Sequence, residues 1–165
     1  MTIKPMLYIA NVSEDVAQDQ KCLDDIRSVV SDAQVVPICA RLESDVEDLN
    51  PEEAQEYLKE VGIAESGLAK LIRIGYKMLD LVTFFTANDK EAHAWTIKRG
   101  SRAPQAAGKV HSDMEKGFIR AEVVNCEVLE KSGSIHKAKE EGHLRMEGKE
   151  YIVKDGDIIY YHFKP

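Results

Sequence analysis

Residues 83–123 read TFFTANDKEAHAWTIKRGSRAPQAAGKVHSDMEKGFIRAEV, and the order of patterns within them decides the fold. Val82, Phe84 and Thr86 alternate with Thr83 and Phe85, and His93, Trp95 and Ile97 alternate with Ala92, Ala94 and Thr96. Alternation with period two suits strands with one buried face, and Asn88-Asp89 between them marks a turn. Pro104 stands where a first helical residue belongs, because its missing N–H is not needed there. Ala107, Val110 and Met114 follow at helical spacing until Gly117. Phe118, Ile119, Ala121, Val123 and Val124 then resume a strand. A hairpin leading into a helix that crosses one sheet face predicts the start of a β-grasp, or ubiquitin-like, fold.

Downstream, a polar connection follows Val124, and a short helix is expected around 135–141, stopped by Gly142. Residues 144–153 read as a hairpin turning at Glu147–Lys149, and Lys154-Asp155-Gly156-Asp157 as a tight turn. Ile158–Phe163 form a last strand, which a β-grasp places centrally in its sheet.

Upstream, Met6-Leu7-Tyr8-Ile9-Ala10, after Lys4-Pro5, is a short apolar run of the kind buried in parallel sheets. It ends in the polar turn Asn11-Val12-Ser13-Glu14. A helix with Cys22, Leu23, Ile26, Val29 and Val30 on one face follows, with Asp15, Asp19, Asp24 and Asp25 off it. Val35–Ala40 is a second buried strand, and the whole is a βαβ unit. Ser44-x-x-Glu47 has the capping-box pattern of a helix start. Asn50-Pro51-Glu52-Glu53 is a stronger start, closing at Gly62. Ser66 opens another helix through Leu68, Leu71, Ile72, Gly75, Met78 and Leu79, in which Gly75 points to close packing.

Charge divides the chain. Residues 1–79 carry 8 basic and 15 acidic side chains, whereas residues 80–165 carry 14 of each, so the net charge of −7 lies in the first part. This places a domain boundary near residue 80 and argues against nonspecific DNA or RNA binding by the first part, since phosphate binding needs cations. Lys98, Arg99, Arg102 and Lys109 cluster at the strand–helix junction, either as a solvated rim or as a contact for ribosomal RNA or another anionic partner. No apolar run spans a bilayer, the N-terminal residues do not form a signal peptide, and three widely spaced cysteines read as free thiols of the cytoplasm. The histidines lack metal-ligand spacing. Trp95 with Phe84 and Phe85 reads as core, with a stacking platform for single-stranded RNA as the alternative. Cys39 reads as a packed thiol, with oxidation beside the base pocket as its alternative.

A two-stranded parallel unit cannot cover both of its faces, so residues 1–79 read as the end of a larger α/β domain. In such sheets, ligands bind outside the carboxyl ends of the strands. No phosphate-cradling Gly-x-x-x-x-Gly-Lys-Ser/Thr is present: the nearest string, around Gly108-Lys109-Val110, lacks both the first glycine and the hydroxyl. Asn11-Val12-Ser13-Glu14 instead occupies the place of the base-reading Asn-Lys-x-Asp element of GTPases, and Cys39-Ala40-Arg41 that of their Ser-Ala-Lys element.

With those elements come FFTA at 84–87, AWTI at 94–97, APQAAG at 103–108, GFIRAE at 117–122 and EGKEYIVKDGD at 147–157. In this order they resemble the C-terminal part of an Obg-like ATPase, the YchF family of P-loop NTPases of the translation-factor class. The resemblance covers essentially the whole chain. It implies that residues 1–79 are the end of an OBG-type nucleotide domain and residues 80–165 a TGS domain. It further implies a ribosome-associated ATP-binding protein that takes GTP more weakly and has no redox dependence. Asn11 would meet the purine edge and the Val12 backbone would read adenine. Glu14 would stand where GTPases keep a guanine-binding aspartate, and Ala40 and Arg41 would flank the base. Mg²⁺ belongs to the intact family, with no ligands expected in this chain, which is therefore expected not to hydrolyse ATP alone. The partner implied is the ribosome, through its large subunit or whole, with RNA contact through the TGS domain and no membrane or DNA role. The rival readings are a ribosome- or RNA-binding TGS module without a nucleotide role, and a protein-interaction module using the acidic helices of residues 14–60. An edge strand at 6–10 would favour dimerisation or aggregation.

Overall fold

A computed structural model describes residues 6–18, 20–29, 34–88 and 91–164. Lys4-Pro5, Asp19, Val30 and Asp89, and the side chains of Cys22 and Leu23, lie outside what is described. The chain divides into two compact units, Met1–Met78 and Leu79–Pro165, and both are mixed α/β.

In the first unit, β1 (Leu7–Asn11) pairs in parallel with β2 (Gln34–Ile38), with Asn11 opposite Ile38. Helices α1 (Glu14–Gln18) and α2 (Gln20–Val29) lie between them in the chain. Then come α3 (Ala40–Glu47), α4 (Pro51–Glu60) and α5 (Gly67–Met78). The Asn50 start is as expected: its Oδ1 accepts from the N–H groups of Glu52 and Glu53 at 3.1 and 3.0 Å, and Glu53 returns a bond to the Asn50 N–H. The Ser44 start is not. Helix α3 begins at Ala40, so Ser44 lies within it and the second strand stops at Ile38 rather than running to Ala40. A partner distant in sequence, described below, sets that start. Helix α5 runs through Gly75 without a break, but a Cβ there would meet nothing within 4 Å, so the close packing expected of that glycine is absent. Buried apolar residues here are Val36, Cys39, Leu42 and Leu58, while Tyr8, Ile9, Val29, Leu68 and Ile72 are exposed.

The second unit is a five-stranded mixed sheet in the order β4-β3-β7-β5-β6. Its strands are β3 (Leu81–Ala87), β4 (Ala92–Lys98), β5 (Phe118–Asn125), β6 (Arg145–Glu147) and β7 (Asp157–Phe163). The last strand lies centrally, parallel to β3 and antiparallel to β5. Helices α6 (Ala103–Val110) and α7 (Ser112–Lys116) pack on one face. The alternation read from sequence selects that face: Val82 and Phe84 are buried while Thr83 and Phe85 are only partly so. Ala103, Ala106 and Ala107 are fully buried, and small side chains there bring the helix close to the sheet.

Three local expectations fail here. The helix expected over 104–117 is broken at His111, whose extended backbone (φ −159°, ψ 143°) ends α6 and opens α7, its Nδ1 accepting from the Asp113 N–H at 3.2 Å. The polar connection after Val124 contains α8 (Cys126–Ser132), capped by the Asn125 side chain; α9 (Ile135–Glu140) follows as expected. Residues 144–153 form no hairpin. β6 pairs with β5 instead, and Ile152 makes a single bridge to Arg102, because Tyr151 and Val153 are drawn toward the loop 101–103 by backbone bonds. Gly117 is required by a close approach rather than by its ordinary φ of −89°: a Cβ there would collide with the Lys164 carbonyl.

One buried charge organises this sheet. Asp157, 1% exposed, accepts from the Tyr151 O–H at 2.7 Å and the Lys154 N–H at 2.8 Å. Arg145 lies 3.9 Å from its other oxygen, donates to the Tyr151 hydroxyl and covers the Tyr151 ring. Tyr161, packed edge-on against Phe84 and Phe118, has a buried hydroxyl without a hydrogen-bond partner among the described residues. Replacing Asp157 with Ala strands two donors, so Asp157→Ala is expected to lower stability by about 3 kcal/mol in urea unfolding. Tyr161→Phe is expected to leave stability unchanged or raise it. Burial, followed by the hydrogen bond to Asp157 and its charge, pushes the Tyr151 phenol from 10.0 up to about 12, and burial with the Asp157 charge pushes Tyr161 up as well. Unfolded tyrosines ionise first, so stability present below pH 10 should fall as pH rises above it. Urea midpoints measured from pH 9 to about 12 should show that fall, and Tyr151→Phe should blunt it.

Candidate functional site

The two loops at the carboxyl ends of β1 and β2 meet. Asn11 ends β1, and its Oδ1 accepts from the Ala40 N–H at 3.3 Å. The first N–H groups of a helix have no partner within it; here one is supplied from 29 residues upstream, and α3 starts at Ala40 rather than at Ser44. The Val12 N–H donates to the Ile38 carbonyl at 2.9 Å, extending the strand ladder one residue into the loop. Glu14 then opens α1. With Oδ1 turned to Ala40, the NH₂ end of Asn11 is the part that can face a ligand. Asn11, Glu14, Ala40 and Arg41 are exposed and Val12 is partly buried. The structure therefore brings Asn11 to Ala40, with Val12 and Arg41 beside them in the chain, and sets Glu14 two residues beyond Val12.

One residue of this neighbourhood escaped the sequence. Glu43, on α3, accepts from the Gly67 N–H at 2.6 Å and the Leu68 N–H at 3.2 Å, capping α5 from another helix. A Cβ on Gly67 would meet Glu43 Oε1 at 2.9 Å and Ile38 Cγ1 at 3.0 Å, so glycine is what lets α5 close over the end of β2. No local pattern announces a cap 24 residues away. Cys39 is the N-cap residue of α3 and packs with Leu42 and Leu58, a buried thiol at the rear of the loop pair.

Chemically, these loop ends offer the amide of Asn11, the backbone groups of the Val12 turn, the Glu14 carboxylate and a single cation, Arg41. Among the described residues, no group of three or more His, Cys, Asp or Glu could hold a metal ion.

The basic cluster of the second unit is mostly engaged within that unit. Lys98 Nζ donates to the Leu79 carbonyl at 2.8 Å. Arg99 pairs with Asp80 at 3.1 Å and Arg102 with Glu150 at 3.0 Å. All four side chains, Lys109 included, remain exposed. Exposed pairs of this kind contribute little stability and exchange readily for another anion. Phe84 is fully buried and Trp95 partly so, its indole N–H donating to Thr86 Oγ1 at 2.9 Å.

The family model YchF-GTPase_C, described as a protein of unknown function (DUF933), matches residues 81–164. The chain is 48% identical over 165 residues to the ribosome-binding ATPase YchF of Shigella flexneri, covering 99% of this chain and 46% of that protein. It is 45% identical over 168 residues to the Obg-like ATPase 1 of Gallus gallus, covering 98% and 42%. The structure of the Schizosaccharomyces pombe YchF GTPase superposes with a TM-score of 0.82 at 32% identity, over 96% of this chain and 43% of that one. The chain thus spans about half the length of the curated relatives it matches.

The Glu43 bridge is testable without a ligand. Glu43→Ala removes a charge-assisted cap from two backbone donors, and the expected loss is about 2 kcal/mol, with amide exchange accelerating first at Gly67 and Leu68. Unchanged exchange at both amides would contradict the bridge.

Proposed function

The chain belongs to the YchF-GTPase_C family, and from that premise we propose that its first unit is the base-reading end of an ATP-binding domain and its second a TGS-type β-grasp that docks on the ribosome. The observation that carries the first half is the bond from the Ala40 N–H to Asn11 Oδ1. It joins the two loops to which the family resemblance assigns base recognition, and it uses the Asn11 Oδ1, leaving the NH₂ group as the donor we assign to the base.

Guanine offers N1–H and a 2-amino group to a carboxylate, and adenine has neither donor. Glu14, one methylene longer than the aspartate of GTPases, moves the carboxylate out of register with those two donors, so a bound guanine would leave its N1–H and 2-amino groups unpaired while adenine has none to leave. ATP is accordingly the preferred nucleotide and GTP the weaker one. Val12 contributes its backbone, and Ala40 and Arg41 flank the ring. Phosphate positioning and Mg²⁺ supply the hydrolytic chemistry in P-loop NTPases, and this chain's residues contribute base binding alone. The exposure of Tyr8 and Ile9 on β1 supports the reading, since a two-stranded sheet with uncovered apolar side chains suits a larger α/β domain.

For the second unit, the supporting observations are the hairpin, the helix on one face and the central last strand parallel to the first. Relatives named as ribosome-binding ATPases support the ribosome as partner, and Lys98, Arg99, Arg102 and Lys109 are the exposed cations we assign to its RNA.

Titrating ATP and GTP into the chain, followed by amide NMR shifts, tests the base site. Shifts at Asn11, Val12 and Ala40 are expected with ATP, lost in Asn11→Ala, and the preference is expected to move toward GTP in Glu14→Asp. No phosphate release above background is expected; turnover that vanishes in Glu14→Ala would overturn the division of labour. Cosedimentation with ribosomes should weaken when Lys98, Arg99, Arg102 and Lys109 are neutralised together. Sedimentation indifferent to that change would remove the basic rim from the interface.

A further inference from the structure

A cavity of about 420 Å³ opens at the end of the hairpin in the second unit. Its walls are Trp95 from β4, Val110 and Met114 from the two helices, and Ile159 and Phe163 from β7, with Thr86 at its polar side. Well-packed interiors leave few voids larger than a water molecule, and small-molecule sites begin at roughly 300 Å³. This volume is of the second kind.

Its chemistry is selective. Trp95, Val110 and Met114 pack against the main core yet stay only partly buried, so their remaining surface faces the cavity side. The Trp95 ring is fixed by its N–H bond to Thr86 Oγ1, and a fixed aromatic wall binds without first losing rotamer freedom. His93 lies beside it, ring centroids 6.1 Å apart, and pairs with Glu91 at 3.2 Å on the exposed rim. The Thr86 hydroxyl, having accepted from Trp95, keeps its own hydrogen to donate. Methionine adapts to irregular shapes and favours aromatic partners. The aromatic wall, the thioether, the aliphatic side chains and the Thr86 hydroxyl beside Trp95 define the occupant, with Asn88, Glu91, Tyr160 and Tyr161 also in the lining.

We propose that this cavity is a binding site for a small planar aromatic molecule that carries one hydrogen-bond acceptor. The ring lies against Trp95 in an offset or edge-on geometry, Met114 and Val110 close its other side, and the acceptor meets Thr86. The site belongs wholly to the second unit and does not rest on the nucleotide reading of the first.

Trp95 is the only tryptophan in the chain, so its emission reports the cavity directly. Benzamide, a ring with one carbonyl acceptor, is the probe, and cyclohexanecarboxamide, the same amide on a saturated ring, is the control. Titration of benzamide into the whole chain should change Trp95 emission saturably, with half-saturation on the order of 1 mM. The saturated control should bind roughly five-fold more weakly, reflecting the aromatic preference. Val110→Phe places a ring in the cavity and should abolish the response while circular dichroism stays unchanged. Should that variant fail to fold, NMR on the unaltered chain takes its place, with shifts expected at the Trp95 indole N–H and the Met114 amide. A linear response equal for both carboxamides overturns the proposal. So does saturable binding that survives Val110→Phe, or shifts confined to residues of the first unit.

Discussion

A carboxylate with 1% of its surface exposed must be paired, and the second unit depends on how Asp157 is paired. Asp157 is the first residue of the central strand. Its partners come from the segment just before it, Tyr151 and Lys154, and from β6 through Arg145. Satisfying this one group therefore fixes where β7 begins. The same turn is held from the other side, where the Thr83 N–H donates to Asp155 Oδ1 at 2.7 Å and the Gly156 N–H donates to the Thr83 carbonyl at 2.9 Å. With both ends of the 154–157 turn anchored, β7 enters between β3 and β5 in one register, and a slip of one residue would turn Ile159 and Tyr161 out of the core.

That constraint also explains why residues 144–153 are not a hairpin. Turn residues at 147–149 between apolar runs are a fair hairpin signal, but Tyr151 and Val153 are committed to Asp157 and to the loop 101–103 before they can pair with β6. The Ala103 N–H donates to the Tyr151 carbonyl and the Val153 N–H to the Ser101 carbonyl. A tertiary demand for burying a charge outweighs a local turn preference, and β6 is left to pair with β5.

The sequence made the periodic parts legible and concealed the long-range ones. Val82, Phe84 and Ile97 declared a buried face because alternation is a local property that the core uses directly. Asn50-Pro51-Glu52-Glu53 declared a helix start because every partner in the cap lies within three residues. Ser44-x-x-Glu47 offered the same kind of local signal and lost, since Asn11, far upstream, had already supplied an acceptor at Ala40. Glu43 capping α5 belongs with it, since its partners Gly67 and Leu68 lie 24 and 25 residues on, whereas the break at His111 is a local cap on Asp113 that the apolar spacing of Ala107, Val110 and Met114 masked. At the candidate site, the residue types of Asn11, Val12, Glu14, Ala40 and Arg41 were readable, but the bond that joins two of them was not. The engagement of Lys98, Arg99 and Arg102 by a carbonyl and two carboxylates was likewise invisible to a count of charges.

The two units differ in how far each accounts for its own apolar residues. The second gathers twelve buried residues into one cluster around Phe84, Phe118, Ile159 and Tyr161, with a helix on the sheet to close it. Among its described side chains, the first gathers Cys39, Leu42 and Leu58 into one cluster with Val46, Tyr57, Val61 and Ile63 against it, and leaves Ile9 at 54%, Ile72 at 53% and Val29 at 83% exposed. The loop ends after β1 and β2 are also tied by polar contacts, Asn11 to Ala40 and Glu43 to Gly67, two bonds between segments far apart in sequence. Both lie at the carboxyl ends of the strands, where an α/β sheet presents its ligand. Each bond satisfies an N–H in the first turn of one helix from a side chain in another segment, so the two loop ends are held by contacts that no local pattern encodes.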